Sequence, residues 1–160
     1  MEKENFTLDR FDRGILQALQ QNGRASNVEL SERVHLSAPQ CFRRVRQLEQ
    51  RRVIKRYAAL VDAEALGFGV TAFVSIALDR EQAKRARRLE SLIKEFPEIV
   101  ECYTISGEYD YLLKVVARDL RGLSELLTDR LMQIPGVAAT RSTVCLETIK
   151  PLSPLPVGVS

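Results

Sequence analysis

The chain has 160 residues, 45% hydrophobic and 28% charged, with a net charge of +3. That length suits one medium domain or two small ones, and the apolar content supports a real core. No apolar run approaches the ~18 residues of a membrane span, and the polar start MEKENFTLDR lacks signal-peptide character, so a cytoplasmic protein without a membrane partner is expected.

The charge is uneven. Residues 1–60 carry 12 Lys/Arg against 7 Asp/Glu, and residues 61–160 carry 12 against 14. A basic first part beside a slightly acidic remainder puts any polyanionic partner on the first part. Cys41, Cys102 and Cys145 lie far apart in apolar periodic segments, and His35 is the single histidine. Buried, reduced thiols and no structural metal or cofactor are expected.

Leu8, Phe11, Ile15, Leu16 and Leu19 recur at helical spacing, with Thr7 as the expected N-cap. QNGR at 21–24 ends that helix. Two capping boxes follow, Ser26–Glu29 and Ser37–Gln40, eleven residues apart. They predict a helix of about two turns, a tight turn near 34–36 where His35 has a surface or capping role, and a new helix. Together these elements spell a helix-turn-helix.

The last of these helices opens CFRRVRQLEQRRVIKRY (41–57), with seven basic residues and one acidic. At 100° per residue, Cys41, Val45 and Leu48 share one face. Arg43, Arg46, Gln47 and Gln50 fall opposite, while Arg44 and Arg51 flank the apolar stripe. Most such charge runs are solvated faces. This one has almost no acid, and Arg and Gln suit base edges and phosphates in the major groove. VIKRYAALVD (53–62) reads as a short wing strand, with Lys55 and Arg56 against the DNA backbone.

Downstream, Val70–Leu78 alternates as a half-buried strand. A basic amphipathic helix is predicted over 81–95, with Ala86, Leu89 and Ile93 inward. Strands follow at 99–106 and 111–117, joined by the turn GEYD (107–110). A leucine-rich helix runs over 120–134, and a last strand over 137–150. The order βαββαβ is a ferredoxin-like unit. Helices on one face leave the other sheet face to be covered, most simply by a second copy. The division is therefore α+β. A winged helix-turn-helix (7–61) and a linker (62–69) precede a βαββαβ unit (70–150) and a Pro-rich, loosely held tail (151–160).

LDRFDRGILQALQQNGRASNVELSERVHLS, then CFRRVRQLE, and later SGEYDYLLKVV and IPGVAATRSTVCLETIK closely resemble the Lrp/AsnC (leucine-responsive/asparagine regulator, feast/famine) family of transcriptional regulators. The resemblance spans about residues 7–150. It implies a DNA-binding N-terminal unit and a C-terminal unit for ligand sensing and dimerisation. It also implies higher assemblies, often octamers, and an amino-acid effector held between dimers. The DNA partner is expected to be a double-stranded, pseudo-palindromic site. Carried onto this chain, the DNA-contacting set is Asn27, Ser37, Pro39, Gln40, Arg43, Arg44, Arg46 and Gln47, with Lys55 and Arg56 of the wing. The effector loop falls on Ser106, Gly107, Glu108, Tyr109 and Asp110. Thr143, Val144 and Cys145 are expected to line the same pocket. Family members often have Gly after the reading helix where this chain has Arg52, so a different or slightly longer helix end is expected.

For the 106–110 turn, a bland reading stands beside the functional one. Gly107 supplies a positive φ and Asp110 caps the turn. Two other functions compete with a metabolite-responsive regulator. An architectural DNA protein predicts a similar basic surface. An enzyme is disfavoured, because the C-terminal part lacks His, a nucleophile–base pair and a cofactor motif.

Overall fold

The computed structural model describes residues 7–79 and 86–158. They form two compact units: one holds the chain up to Leu60 and again from Lys150, the other Val61–Ile149. Among the described residues, no helix is long and apolar enough to cross a membrane.

In the first unit, Asp9 starts helix α1 (Arg10–Gln21) by accepting the N–H groups of Phe11 and Asp12, both at 2.8 Å. Asp9, not the expected Thr7, is thus the N-cap, because Thr7 lies two residues too far upstream to reach those orphan donors. Helices α2 (Asn27–Val34) and α3 (Ala38–Gln50) start at the two expected boxes. Glu29 N–H donates to Ser26 Oγ at 3.2 Å, and Ser37 N–H donates to Gln40 Oε1 at 2.9 Å. His35 closes α2 at φ 55°, which is the capping role. Gly14 lets α1 approach α2, since a Cβ there would lie 2.9 Å from Val34 Cγ1. Ile15, Leu16, Leu30, Val34, Cys41 and Leu48 form the core.

Helix α3 ends in a Schellman closure. Arg52 N–H donates to Glu49 O and Val53 N–H to Leu48 O, each at 2.9 Å, with Arg52 at φ 57°. The helix therefore ends as a glycine-closed helix does, with arginine carrying the strain, and it does not run on. Residues 53–62 form no strand, which corrects the expected wing. Ile54 N–H also turns back to Leu48 O at 3.1 Å, and among the described residues nothing pairs with this segment. A strand without a ladder partner has nowhere to place its N–H groups.

The second unit contains β1 (Val70–Leu78), α4 (Ala86–Ile93), β2 (Ile99–Thr104), β3 (Tyr111–Ala117), α5 (Leu120–Glu125) and β4 (Val137–Val144). Helix α5 continues as a π-helical stretch, Leu126–Leu131. The sheet is antiparallel in the order β2-β3-β1-β4, the ferredoxin-like arrangement. The unit is α+β, as the periodicities predict. Residues 81–85 of the expected basic helix, and the side chain of Ala86, lie outside what is described.

One sheet face packs Ala72, Val74, Ile76, Leu113 and Val115 against Leu89, Ile93, Leu123, Leu126 and Leu131. The other presents Phe73 and Tyr103, 38% and 52% exposed, with the Lys114–Glu101 ion pair at 3.3 Å among them. It is therefore an apolar face crossed by charge. Strand β4 stops short of 150: Cys145 N–H still reaches Thr71 O (2.8 Å), but β1 begins at Val70 and leaves little edge beyond it. Cys102 is exposed rather than buried, because β2 is an edge strand, and Cys145 is half-buried. Cys41 is fully buried.

Candidate functional site

The outward face of α3 carries Arg43, Arg46 and Gln47, all exposed. The buried side is fixed by Cys41 and Leu48, both at 0% exposure, so the helix cannot rotate its basic face away. Arg46 lies over the Phe42 ring at 5.7 Å. Glu49, the acid of this helix, accepts the Tyr57 hydroxyl at 3.1 Å. Burial and the Glu49 carboxylate push the Tyr57 phenol up to about 12. Lys55 and Arg56 are exposed on extended coil rather than on a wing.

Arg44 turns the other way. Its Nη1 lies 2.7 Å from Asp12 Oδ1 and 2.9 Å from Asp9 Oδ2, and its guanidinium stands over Phe11 at 5.3 Å. Burial works against its charge, but the Asp12 hydrogen bond and both carboxylates outweigh that and raise its pKa. Burial likewise opposes the Asp9 charge, yet Asp12 N–H and Arg44 hold its carboxyl below the ordinary value. The geometry gives Arg44, expected among the DNA-contacting residues, an intramolecular anchor. At the start of α3, Gln40 Oε1 accepts both the Ser37 N–H and hydroxyl at 2.9 Å, while Pro39 is exposed. Asn27, the first residue of α2, is half-buried.

In the second unit, the β2–β3 turn is tied down by Asp110. Its N–H donates to Ile76 O at 2.9 Å, and its Oδ2 accepts Leu78 N–H at 2.7 Å. Its carbonyl accepts Ile105 N–H at 2.9 Å. Ser106, Gly107 and Glu108 project as an exposed tip with Tyr109 half-buried. Gly107 sits at φ 125° with nothing within 4 Å of where a Cβ would stand, so conformation rather than space demands glycine. Asp110 thus has the capping role of the bland reading.

The structure does not bring both halves of the expected pocket together within one chain. The turn docks at Ile76 and Leu78, whereas Thr143 pairs with Phe73 and Val144 with Ala72. Along β1, Phe73 and Ile76 are three residues apart and Ala72 and Leu78 six, which separates the two segments by about 10–20 Å at ~3.3 Å per residue. Val144 also packs against the core.

Sequence reasoning missed Asp9 and Asp12 as the anchor of the reading helix. The signal was there: Asp12 falls on the same helical face as Ile15 and Leu16, where a charge requires a partner. Asp12 is 5% exposed.

A helix-turn-helix with a basic outer face, in a chain that also holds a separate βαββαβ unit, defines a two-domain DNA-binding protein. The AsnC-type helix-turn-helix domain matches residues 8–49, and the Lrp/AsnC ligand binding domain matches residues 71–155. The leucine-responsive regulatory protein of Klebsiella pneumoniae is 43% identical over 143 residues, covering 89% of this chain and 87% of that protein. Its Escherichia coli K12 counterpart is 42% identical over the same share. Among solved structures, a transcriptional regulator–L-Met complex from Neisseria meningitidis superposes with TM-score 0.88 at 40% identity, covering 94% of this chain and 97% of that one. A feast or famine regulatory protein from M. tuberculosis complexed with L-methionine gives 0.83 at 36%, covering 91% and 96%. The chain belongs to the Lrp/AsnC family of transcriptional regulators.

Proposed function

We propose that this regulator binds a pseudo-palindromic duplex as a dimer and that a free amino acid tunes its assembly or its grip on DNA. The supporting observation is the anchored α3, with Arg43, Arg46 and Gln47 outward and Glu49 drawn to Tyr57. In this reading Arg43, Arg46 and Gln47 read base edges. Asn27, Ser37, Pro39, Gln40, Lys55 and Arg56 meet the sugar–phosphate backbone.

The effector is held where the 106–110 turn of one copy meets Thr143–Cys145 of another, since one chain keeps these segments apart. The exposed Gly107, lacking a side chain, lets a ligand carboxylate come close to the backbone. Effector occupancy then depends on assembly, with dimers gathered into a larger ring such as an octamer. The protein works in the cytoplasm and catalyses nothing.

Selection from a random duplex pool tests the DNA reading. An inverted repeat with half-site centres about one helical turn apart is expected, and enrichment of single half-sites overturns it. Thermal shift with the twenty amino acids, L-Met first, followed by light scattering, tests the effector. No shift with any of them removes the sensing part alone.

A further inference from the structure

Residues 150–158 were expected to be loosely held, yet they pack against α1 inside the DNA-binding unit. Gln20 uses both ends of its amide on one residue: Nε2 donates to Leu155 O at 3.1 Å, and Oε1 accepts Leu155 N–H at 2.6 Å. Arg13 Nη1 donates to Val157 O at 3.1 Å and also to Gly158 O. Val157 packs against the core of Ile15, Leu16 and Leu30. Beside it runs a groove of about 380 Å³ bordered by Leu8, Arg10, Gly14 and Gln17.

The chemistry of the segment explains these partners. In PLPVG (154–158), Pro154 and Pro156 have no N–H, so Leu155 supplies the one donor between them and no ordinary ladder can form. Extended proline-flanked chain leaves its carbonyls unpaired and offers them to side-chain donors. Gln20 gives Leu155 a donor and an acceptor, as a neighbouring strand would. Recognition is through the main chain and Val157, since the Leu155 side chain is 76% exposed.

We infer that the outer face of α1 is a receptor for an extended, proline-flanked peptide, and that its occupant is the chain's own segment 154–158. This strap completes the DNA-binding unit. It grips α1 at Arg13, next to Asp12, which holds Arg44 of the reading helix. Fastening α1 therefore steadies α3 from behind, away from the DNA-facing side.

Hydrogen exchange on the full-length protein tests this, because Gln20→Ala removes a side chain whose described bonds go to the strap alone. Exchange in α1 is expected to rise on the order of tenfold as the two Gln20 hydrogen bonds are lost. β1 and β3 serve as the unchanged reference. Truncation after Lys150 should reproduce the effect, and excess synthetic peptide 151–158 should reverse it. α1 exchange equal to wild type in both variants overturns the inference. To identify the occupant with Gln20 intact, Gln17→Cys at the groove edge and Leu155→Cys are joined by a short bis-maleimide in a Cys102→Ser, Cys145→Ser background. A monomer-sized product on a denaturing gel, carrying one linker bonded to both cysteines by peptide mass, is expected. A dimer-sized one assigns the strap to a second copy and overturns the own-chain assignment.

Discussion

Arg44 on the reading helix and Asp12 on α1 meet at 2.7 Å, and Asp12 is almost fully buried. Removing the guanidinium would leave that carboxylate in the interior without its charged partner. Arg44→Ala is therefore expected to destabilise the DNA-binding unit by about 2–4 kcal/mol, because breaking a buried pair costs far more than the pair contributes. Thermal unfolding checks this. A melting temperature equal to wild type would return Arg44 to the DNA-facing set.

Arg43 and Arg46 behave differently: among the described residues neither holds a buried carboxylate, and Arg46 meets the exposed Phe42 ring instead. Arg43→Ala and Arg46→Ala should each leave unfolding nearly unchanged and cost ~1–3 kcal/mol of binding at the selected duplex. Gel shifts at one fixed salt concentration measure this. If the double variant binds its duplex like wild type, α3 is not the reading helix.

Arg52 occupies a left-handed position at φ 57°, which costs an L-residue roughly 1–2 kcal/mol. Glycine avoids that strain but frees the unfolded chain by ~0.5–1 kcal/mol. Arg52→Gly should therefore stabilise the unit by about 0.5–1 kcal/mol in denaturant unfolding. A destabilised variant would show that the Arg52 side chain has a stabilising role the closure does not reveal.

In the sensing unit, Asp110→Ala removes the acceptor of the Leu78 N–H and loosens the 106–110 turn, at about 1–2 kcal/mol. Gly107→Val strains the backbone at φ 125°, although a Cβ there would meet nothing within 4 Å. Both variants should bind DNA normally without effector and bind effector weakly by calorimetry. Unchanged effector affinity in both would place the pocket elsewhere.

Acid should weaken the DNA-binding unit through its caps. The Ser26 backbone and hydroxyl hold Glu29 below its ordinary 4.5, and Asp12 N–H and Arg44, outweighing burial, hold Asp9 below 3.8. Carboxyls depressed in the folded state contribute stability above their unfolded values and lose it as pH falls through the folded ones. Stability should hold from neutral pH to about 5 and decline below 4.5. Glu29→Gln should flatten part of that decline when helical signal is followed against pH.

The elements that long periodicities describe are where the residues put them. The Val70–Leu78 alternation is β1, and the Cys41/Val45/Leu48 stripe anchors α3. The misreadings share one cause, which is that the deciding partner lies far away in the chain. VIKRYAALVD has strand-like composition but no neighbour to pair with. The residues after Cys145 keep an apolar rhythm, yet β1 starts at Val70 and leaves them little edge to pair with. Arg44 flanks the apolar stripe by angle alone, and Asp9 and Asp12 decide which way it points. The residues proposed for the effector stand out as two motifs, but their separate places along β1 emerge from strand register. The strap was invisible because proline-rich composition does not reveal a receptor on α1.

The strap also sets an order of manufacture. A ribosome completes α1, α2 and α3 before it begins Val61–Ile149, and it adds Leu155, Val157 and Gly158 only afterwards. At 5–20 residues per second, those intervening residues take roughly 5–20 s to translate. For that interval the nascent helices lack the contacts of Gln20 and Arg13. Their full steadiness thus arrives only on a chain whose ligand domain has already been synthesised, so a prematurely terminated product carries a loosened α1.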